Sequence, residues 1–297
     1  MLAPTPRPID AELPGLRAGT CSMPRHRPPR PGAGHLAVEE VSGASALVAC
    51  GASSPLQLLA PRPRGAAVWV LAASHGGGLV TGDAISLDVA IGSGATACLG
   101  TQAETKVYRA VDGTARQELS AAVAQGALLA WLPDPVSPFA GSRYAQEQRF
   151  ALAPGASLAL LDAVTAGRAA RGERWAFERY ASRNEVRSGG ALILADAVRL
   201  VSAEGPPAAR RLSGIELLAT IVLLGPRVAA AARRILDAVS AAPADGGADV
   251  LAAAGPLADG VLLRLAARSV EAGMAAIRGH LACLAGPLDG DPLQRRP

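Results

Sequence analysis

Lysine is almost missing from this chain of 297 residues: Lys106 is the single one, and the other fixed cations are arginines. Aromatic side chains make up 3% of the residues and charged ones 18%. The usage reads mainly as a bias toward Ala, Gly, Pro and Arg. The net charge of +4 is spread along the chain and not gathered into basic stripes, so no nucleic-acid surface is indicated. The densest basic run, residues 25–30, lies in a proline-rich stretch. Long apolar runs are also lacking. Stretches such as Leu217–Leu224 fall far short of the ~20 residues that a bilayer-crossing helix needs, which speaks against a membrane protein. The four cysteines (Cys21, Cys50, Cys98, Cys283) stand far apart, with no CxxC pair and no Cys/His cluster at ligand spacing. Neither a zinc knuckle nor a disulfide framework is indicated, and a reducing compartment fits best. The amino-terminal residues show no basic segment followed by an apolar one, so the cytoplasm is the expected location.

Residues 1–32 carry Pro4, Pro6, Pro8, Pro14, Pro24, Pro28, Pro29 and Pro31 and few large apolar side chains. Such a composition cannot offset its ordering entropy, and a disordered Pro/Arg-rich extension is expected there. Residues 33–290 read as one β-rich domain with helices near its carboxyl end. Its clearest strand is Ile85-Ser86-Leu87-Asp88-Val89-Ala90-Ile91, where large apolar residues alternate with small or polar ones as a half-buried strand requires. Gly92-Ser93-Gly94 then turns the chain into residues 95–101. The device recurs at Gln125-Gly126 and at Pro154-Gly155, so Gly94, Gly126 and Gly155 follow one another at spacings of 32 and 29 residues. This quasi-period predicts stacked hairpins in distorted, layered β architecture. Past residue 205, Ser213-Gly214-Ile215-Glu216 reads as a capping box opening a helix with Ile215, Leu218 and Val222 on one face. Pro226 opens the next helix, which carries Val228, Ala231, Ile235 and Val239 on one side. A strand over 261–266 and a final helix over 270–284 complete the expectation.

The segment from Ser74 to Asp83, with Gly76, Gly77, Gly78 and Gly82, is the most distinctive, since glycines permit positive φ and close backbone approach. The His75-Gly-Gly-Gly78 part is like the oxyanion segment of esterases, but the chain has no G-x-S-x-G elbow to supply a nucleophile. Gly77 to Ala84 has the glycine spacing of a phosphate loop, yet Asp83 stands where the lysine belongs and would repel a phosphate. The remaining local reading is a tight turn in which Asp83 accepts backbone hydrogen bonds.

Further polar blocks follow: Thr105-Lys106-Val107-Tyr108-Arg109, Pro138-Phe139-Ala140-Gly141, and Gly167-Arg168 with Arg171-Gly172-Glu173. Together with the glycine loop, Gly34-His35-Leu36-Ala37-Val38, Pro55-Leu56-Gln57-Leu58 and Leu263-Arg264-Leu265, they resemble the UreD (UreH) family of urease accessory proteins. The resemblance spans roughly residues 34–285 in order. The wording around the glycine loop and Thr101-Gln102 is more similar to eukaryotic-type members, whereas the proline-rich extension and alanine-heavy helices depart from the family.

The resemblance implies a mainly β, distorted β-helix-like fold with a small helical part near the carboxyl end. It also implies a metallochaperone scaffold and not an enzyme, with UreF, UreG and apo-urease as partners and Ni²⁺ as a transient cargo that is not tightly bound. An internal polar tunnel is expected to pass the metal. Asp83, Thr105, Asp162 and Glu173 match the positions expected to line it, with Lys106 and Arg168 balancing buried carboxylates and His75 as a transient ligand at its mouth. The histidines (His26, His35, His75, His280) form no cluster in the sequence, so weak oxygen ligands suit passage better than storage. Two structural alternatives stand beside this: Asp162 with Arg168, and Asp83 with Lys106, as ordinary ion pairs, and His75 as a loop residue bonded to backbone. The alternative function is a β-rich protein-interaction module without a nickel role; a glycine-loop anion enzyme would require turnover by the isolated chain.

Overall fold

The structure is a computed structural model that describes residues 30–61, 65–242 and 245–293. The expected amino-terminal extension therefore lies outside the described residues except for 30–32, where Gly32 donates its N–H to the Ser54 carbonyl and its own carbonyl accepts from Ser86.

Strands come in the order β1 (Ala33–Val41), β2 (Ala44–Ala52), β3 (Leu56–Leu59), β4 (Val68–Ser74), β5 (Ala84–Ile91), β6 (Thr96–Thr101), β7 (Thr105–Val107), β8 (Ala115–Val123) and β9 (Leu128–Trp131). They continue with β10 (Val136–Pro138), β11 (Arg143–Leu152), β12 (Ser157–Thr165), β13 (Arg179–Ser188), β14 (Ala191–Val201), β15 (Leu217–Leu224), β16 (Val250–Leu257) and β17 (Gly260–Ala267). Helices α1 (Ala208–Arg211), α2 (Ala229–Ala241), α3 (Val270–Leu281) and α4 (Ala285–Leu288) fall in the last third.

Two sheets form the body. One is ordered β14-β13-β11-β8-β5-β1-β2, and the other β16-β17-β15-β12-β9-β6-β4-β3 with β10 and β7 at its side. In the first, β1, β5, β8, β11 and β13 are parallel neighbours; in the second, β4, β6, β9 and β12 are. The chain thus climbs as a coil, giving one strand to each sheet per turn. Layered, β-helix-like stacking is as the glycine period predicts. The stacking unit, however, is an arch: β5 hydrogen-bonds to β1 and β8, while β6 pairs in the opposite sheet. Gly94, Gly126 and Gly155 make the corners with φ of 74°, 70° and 76°. These corners stack, the Gly94 N–H bonding the Gln125 carbonyl and the Gly126 N–H that of Gly155.

Each coil strand buries one row between the sheets. Leu87, Val89, Leu119, Phe150, Leu158 and Leu160 meet there, each such side chain contributing about 1.5–3 kcal/mol on burial. The other face of the second sheet packs on α2 and α3 through Leu161, Ile221, Leu263, Ile235 and Ile277. Strand β12 is buried along its whole length because both its faces are covered.

The helix expected over Ile215, Leu218 and Val222 is instead β15, and this is a correction. Its run Leu-Leu-Ala-Thr-Ile-Val-Leu-Leu is buried on both faces, Leu217, Ile221 and Leu223 toward the helices and Val222 and Leu224 between the sheets. A strand covered on both sides has no polar face, so its pattern imitates a helix. Glu216 caps nothing; its carboxylate takes the Arg174 Nε at 2.8 Å. The later elements follow expectation: Pro226 opens a 3₁₀ turn that buries Val228 and leads into α2, which buries Ala231 and Ile235. β17 occupies 260–267, and α3 starts at the Ser269 cap, whose hydroxyl accepts from the Ala272 N–H at 3.1 Å.

Candidate functional site

The polar blocks that stand far apart in sequence meet in two places. The first is a third, short face of the coil. Here β7 runs parallel to β10, and Leu79 of the glycine loop bridges to Val107. The Leu79 N–H bonds the Lys106 carbonyl at 2.7 Å, and the Phe139 N–H bonds that of Val107 at 2.9 Å. Gly76, Gly77 and Gly82 have φ above +20°, and Gly78 packs so closely that a Cβ would lie 2.7 Å from the Lys106 carbonyl oxygen.

Arg168 and Glu173 form a fork on this face, Nε to Oε2 at 2.9 Å and Nη2 to Oε1 at 2.5 Å. Glu173 Oε2 also accepts the Ala140 N–H, and the Arg168 guanidinium lies 4.3 Å over the Phe139 ring. The Arg168 hydrogen bond is the main reason that the Glu173 pKa sits below its ordinary value. Both Glu173 oxygens are thus occupied by protein donors.

Here several sequence expectations are corrected. Arg168 balances Glu173 and not buried Asp162, and Lys106 is an exposed group 3.9 Å from Glu104. Neither the Asp162–Arg168 nor the Asp83–Lys106 ion pair forms among the described residues. Asp83 serves its own turn, with Oδ2 accepting the Val80 N–H at 2.8 Å. His75 is exposed, and its backbone N–H bonds the Pro55 carbonyl. Thr105 lies half-buried on β7, opposite Val136. Among the described residues no three of His, Cys, Asp and Glu gather to hold a metal.

The second place is the interior between the sheets, and Asp162 is at its centre. On β12 the inward row is Leu158, Leu160, Asp162 and Val164, so a carboxylate takes a place otherwise given to aliphatic side chains. Burying it demands hydrogen bonds, and the opposite sheet supplies them. Gln146 Nε2 donates to Oδ1 at 2.8 Å; Ser182 Oγ at 2.5 Å and Asn184 Nδ2 at 2.8 Å donate to Oδ2. Burial is the leading cause that raises the Asp162 pKa, opposed by these three bonds and reinforced by the charge of Asp196. Tyr144, which bonds Gln146 Oε1, is likewise pushed up by burial.

From Asp162 a polar row crosses the second sheet. Thr220 of β15 is directly opposite Asp162, Arg264 of β17 opposite Thr220, and Ala253 of edge strand β16 opposite Arg264. In the facing sheet Asn184 is opposite Asp196 of β14, whose carboxylate is buried and takes Arg264 Nη2 at 2.5 Å. A cavity of about 290 Å³ follows this row, lined by Asp162, Tyr180, Val198, Thr220, Ala253 and Arg264 with neighbouring apolar residues.

Of the expected residues, only Asp162 reaches this lane; Thr105, Lys106, Arg168 and Glu173 share the loop face. Asp196, Asn184, Ser182, Gln146 and Thr220 escaped sequence reasoning. The available signal was a polar residue in an otherwise apolar inward row, which is legible only when the row's direction is known. Arg264 was part of a recognised block, Leu263-Arg264-Leu265, without a role.

Fold and lane together define a stacked-coil β protein with one polar row through an otherwise apolar interior. The family model described as UreD urease accessory protein matches residues 30–296, and the chain belongs to that family. It is 57% identical to the "Urease accessory protein UreD" of Anaeromyxobacter sp. (strain Fw109-5) over 100% of both chains. With the protein of the same name from Sorangium cellulosum (strain So ce56) it shares 49% over 89% of this chain and 84% of the other. The similarity extends to plants: "Urease accessory protein D" of Oryza sativa subsp. japonica is 39% identical over 70% of this chain and 69% of its own. No helix among the described residues is long and apolar enough to cross a membrane.

Proposed function

We propose that this urease accessory protein is a nickel-passing scaffold that acts with UreF and UreG on apo-urease, and that the inter-sheet lane is its conduit. The observation that carries the reading is the Asp162–Thr220–Arg264 row along the cavity, with buried Asp196 of the facing sheet bound to Arg264 at its outer end. Its oxygen groups are the carboxylates of Asp162 and Asp196 and the hydroxyl of Thr220. Such ligands hold a borderline divalent ion less firmly than imidazole or thiolate, which suits release. Asp162, held in place by three neutral donors, offers a fixed carboxyl inside a low-dielectric wall, where the field of a passing cation falls off slowly. The cargo is bound in transit only, and the chain turns over no substrate of its own.

The test is co-expression with UreF, UreG and apo-urease in nickel-supplied cells, comparing wild type with Asp162→Asn. Urease activity should fall severalfold while the accessory complex still assembles in a pull-down. Unchanged activity with an assembled complex would remove Asp162 from the conduit. Full independence from the chain would favour a plain interaction module.

A further inference from the structure

We propose that Arg264 is a tethered counter-ion that gates the lane, its guanidinium holding the place at Asp196 that an incoming divalent cation takes. The inference rests on the conduit reading and adds a regulatory element to it.

The ion pair is asymmetric. The Asp196 side chain is 4% exposed and the Arg264 side chain 50% exposed, so the arginine reaches in from the open side and only the arginine can leave. The pair is also incomplete. Arginine commonly meets both oxygens of a carboxylate with a fork. Here Nη2 meets Oδ1 alone, and the buried Oδ2 has no hydrogen-bond partner among the described residues. A buried carboxylate oxygen left without a donor calls for an explanation, and a second ligand for that oxygen supplies one.

The charges point the same way. The charge of Asp196 acts on Asp162, whereas Arg264 is the cation paired with Asp196. The monovalent guanidinium leaves one oxygen of Asp196 unmet, a deficit that a divalent ion would fill. Asp162 meanwhile is satisfied by neutral donors, so it needs no arginine to remain in place.

Position completes the argument. Arg264 stands at the outer end of the row whose inner end is Asp162, with Thr220 between them. Beyond it among the described residues lies edge strand β16, where Ala253, directly opposite Arg264, presents a small side chain on the same face. The half-exposed guanidinium can turn outward past exposed Ala253. Entry of a cation then exchanges one Asp196 partner for another, and its departure lets Arg264 return.

The experiment measures Ni²⁺ binding to the full chain by competition with a chelating indicator, together with the shift of Tm caused by Ni²⁺. Arg264→Gln should bind Ni²⁺ roughly tenfold more tightly than wild type, the scale of one partly screened charge contact, and show a larger nickel-dependent rise in Tm. Asp196→Asn with Arg264→Gln should return to wild-type affinity or below. Arg264→Lys, which keeps the charge and replaces the guanidinium by an ammonium, should lie between and serves where Arg264→Gln folds poorly. If neither Arg264 variant binds more tightly than wild type, the gate is overturned. Should Asp162→Asn weaken binding while the Arg264 variants change nothing, the conduit survives without a gate. If Asp162→Asn leaves binding unaltered in both wild-type and Arg264→Gln backgrounds, the conduit reading itself has failed.

Discussion

Asn184 links Asp162 to Asp196: its side-chain amide donates to Asp162 Oδ2 at 2.8 Å, and its backbone lies directly opposite Asp196 on β14. Two carboxylates from different sheets are thereby held at one level of the interior.

The raised pKa of Asp162, caused first by burial, has a defined sign in stability. Its contribution is fully present below the unfolded value of about 3.9 and is lost as pH rises through the higher folded value. The Tm difference between wild type and Asp162→Asn should therefore move in favour of wild type as pH falls from about 8 toward about 4. Thermal melts of both proteins across that range check it; a gap moving the other way would contradict the direction of the shift.

Glu173 has the opposite sign. Its folded pKa is lowered, mainly by the Arg168 fork, so its contribution holds above the unfolded value of about 4.3 and fades as pH falls through the folded one. Glu173→Gln should lower the Tm at neutral pH and approach wild type in acid. Arg168→Lys, which loses both the fork and the stack on Phe139, should also melt earlier. Paired melts at neutral and acid pH are the measurement.

Gly167 has φ +92°, and a Cβ there would lie 2.5 Å from the Pro138 carbonyl oxygen. Gly167→Ala combines left-handed strain with a backbone clash, and a loss of about 2–4 kcal/mol is expected from denaturant unfolding. The close approach is what lets the Arg168 block lie against the Phe139 block.

Thr220→Val removes the hydroxyl between Asp162 and Arg264 at nearly constant volume. Unfolding free energy should change by about 1.5 kcal/mol or less, the net scale of one hydroxyl's hydrogen bonding, while urease activation in co-expressing cells should drop. A normal activation level would show that the hydroxyl takes no part in passage. By contrast Ile221→Ala, one residue on and facing the helices, should cost about 2–5 kcal/mol through its cavity.

Much of this architecture was legible because its signals are local. The alternation over 85–91 and the corner glycines Gly94, Gly126 and Gly155 act within a few residues, where side-chain period and φ preference decide the conformation. β15 was misread because burial on both faces erased the period that distinguishes strand from helix. Arg168 was paired with the wrong acid for a related reason. Glu173 lies five residues away and closes a local fork, whereas Asp162 points into the interior from the adjoining strand.

By itself the amino-acid sequence determined the turns, the apolar rows and the ordered polar blocks that carry the family resemblance. Only the tertiary structure decided that Asp162, Thr220, Arg264 and Ala253 form one row and that Asp196 faces it from the other sheet. The physical reason is register. Which residue stands opposite which depends on backbone hydrogen bonds between strands separated by long stretches of chain, and a shift of a single position would turn every one of these side chains to the other face.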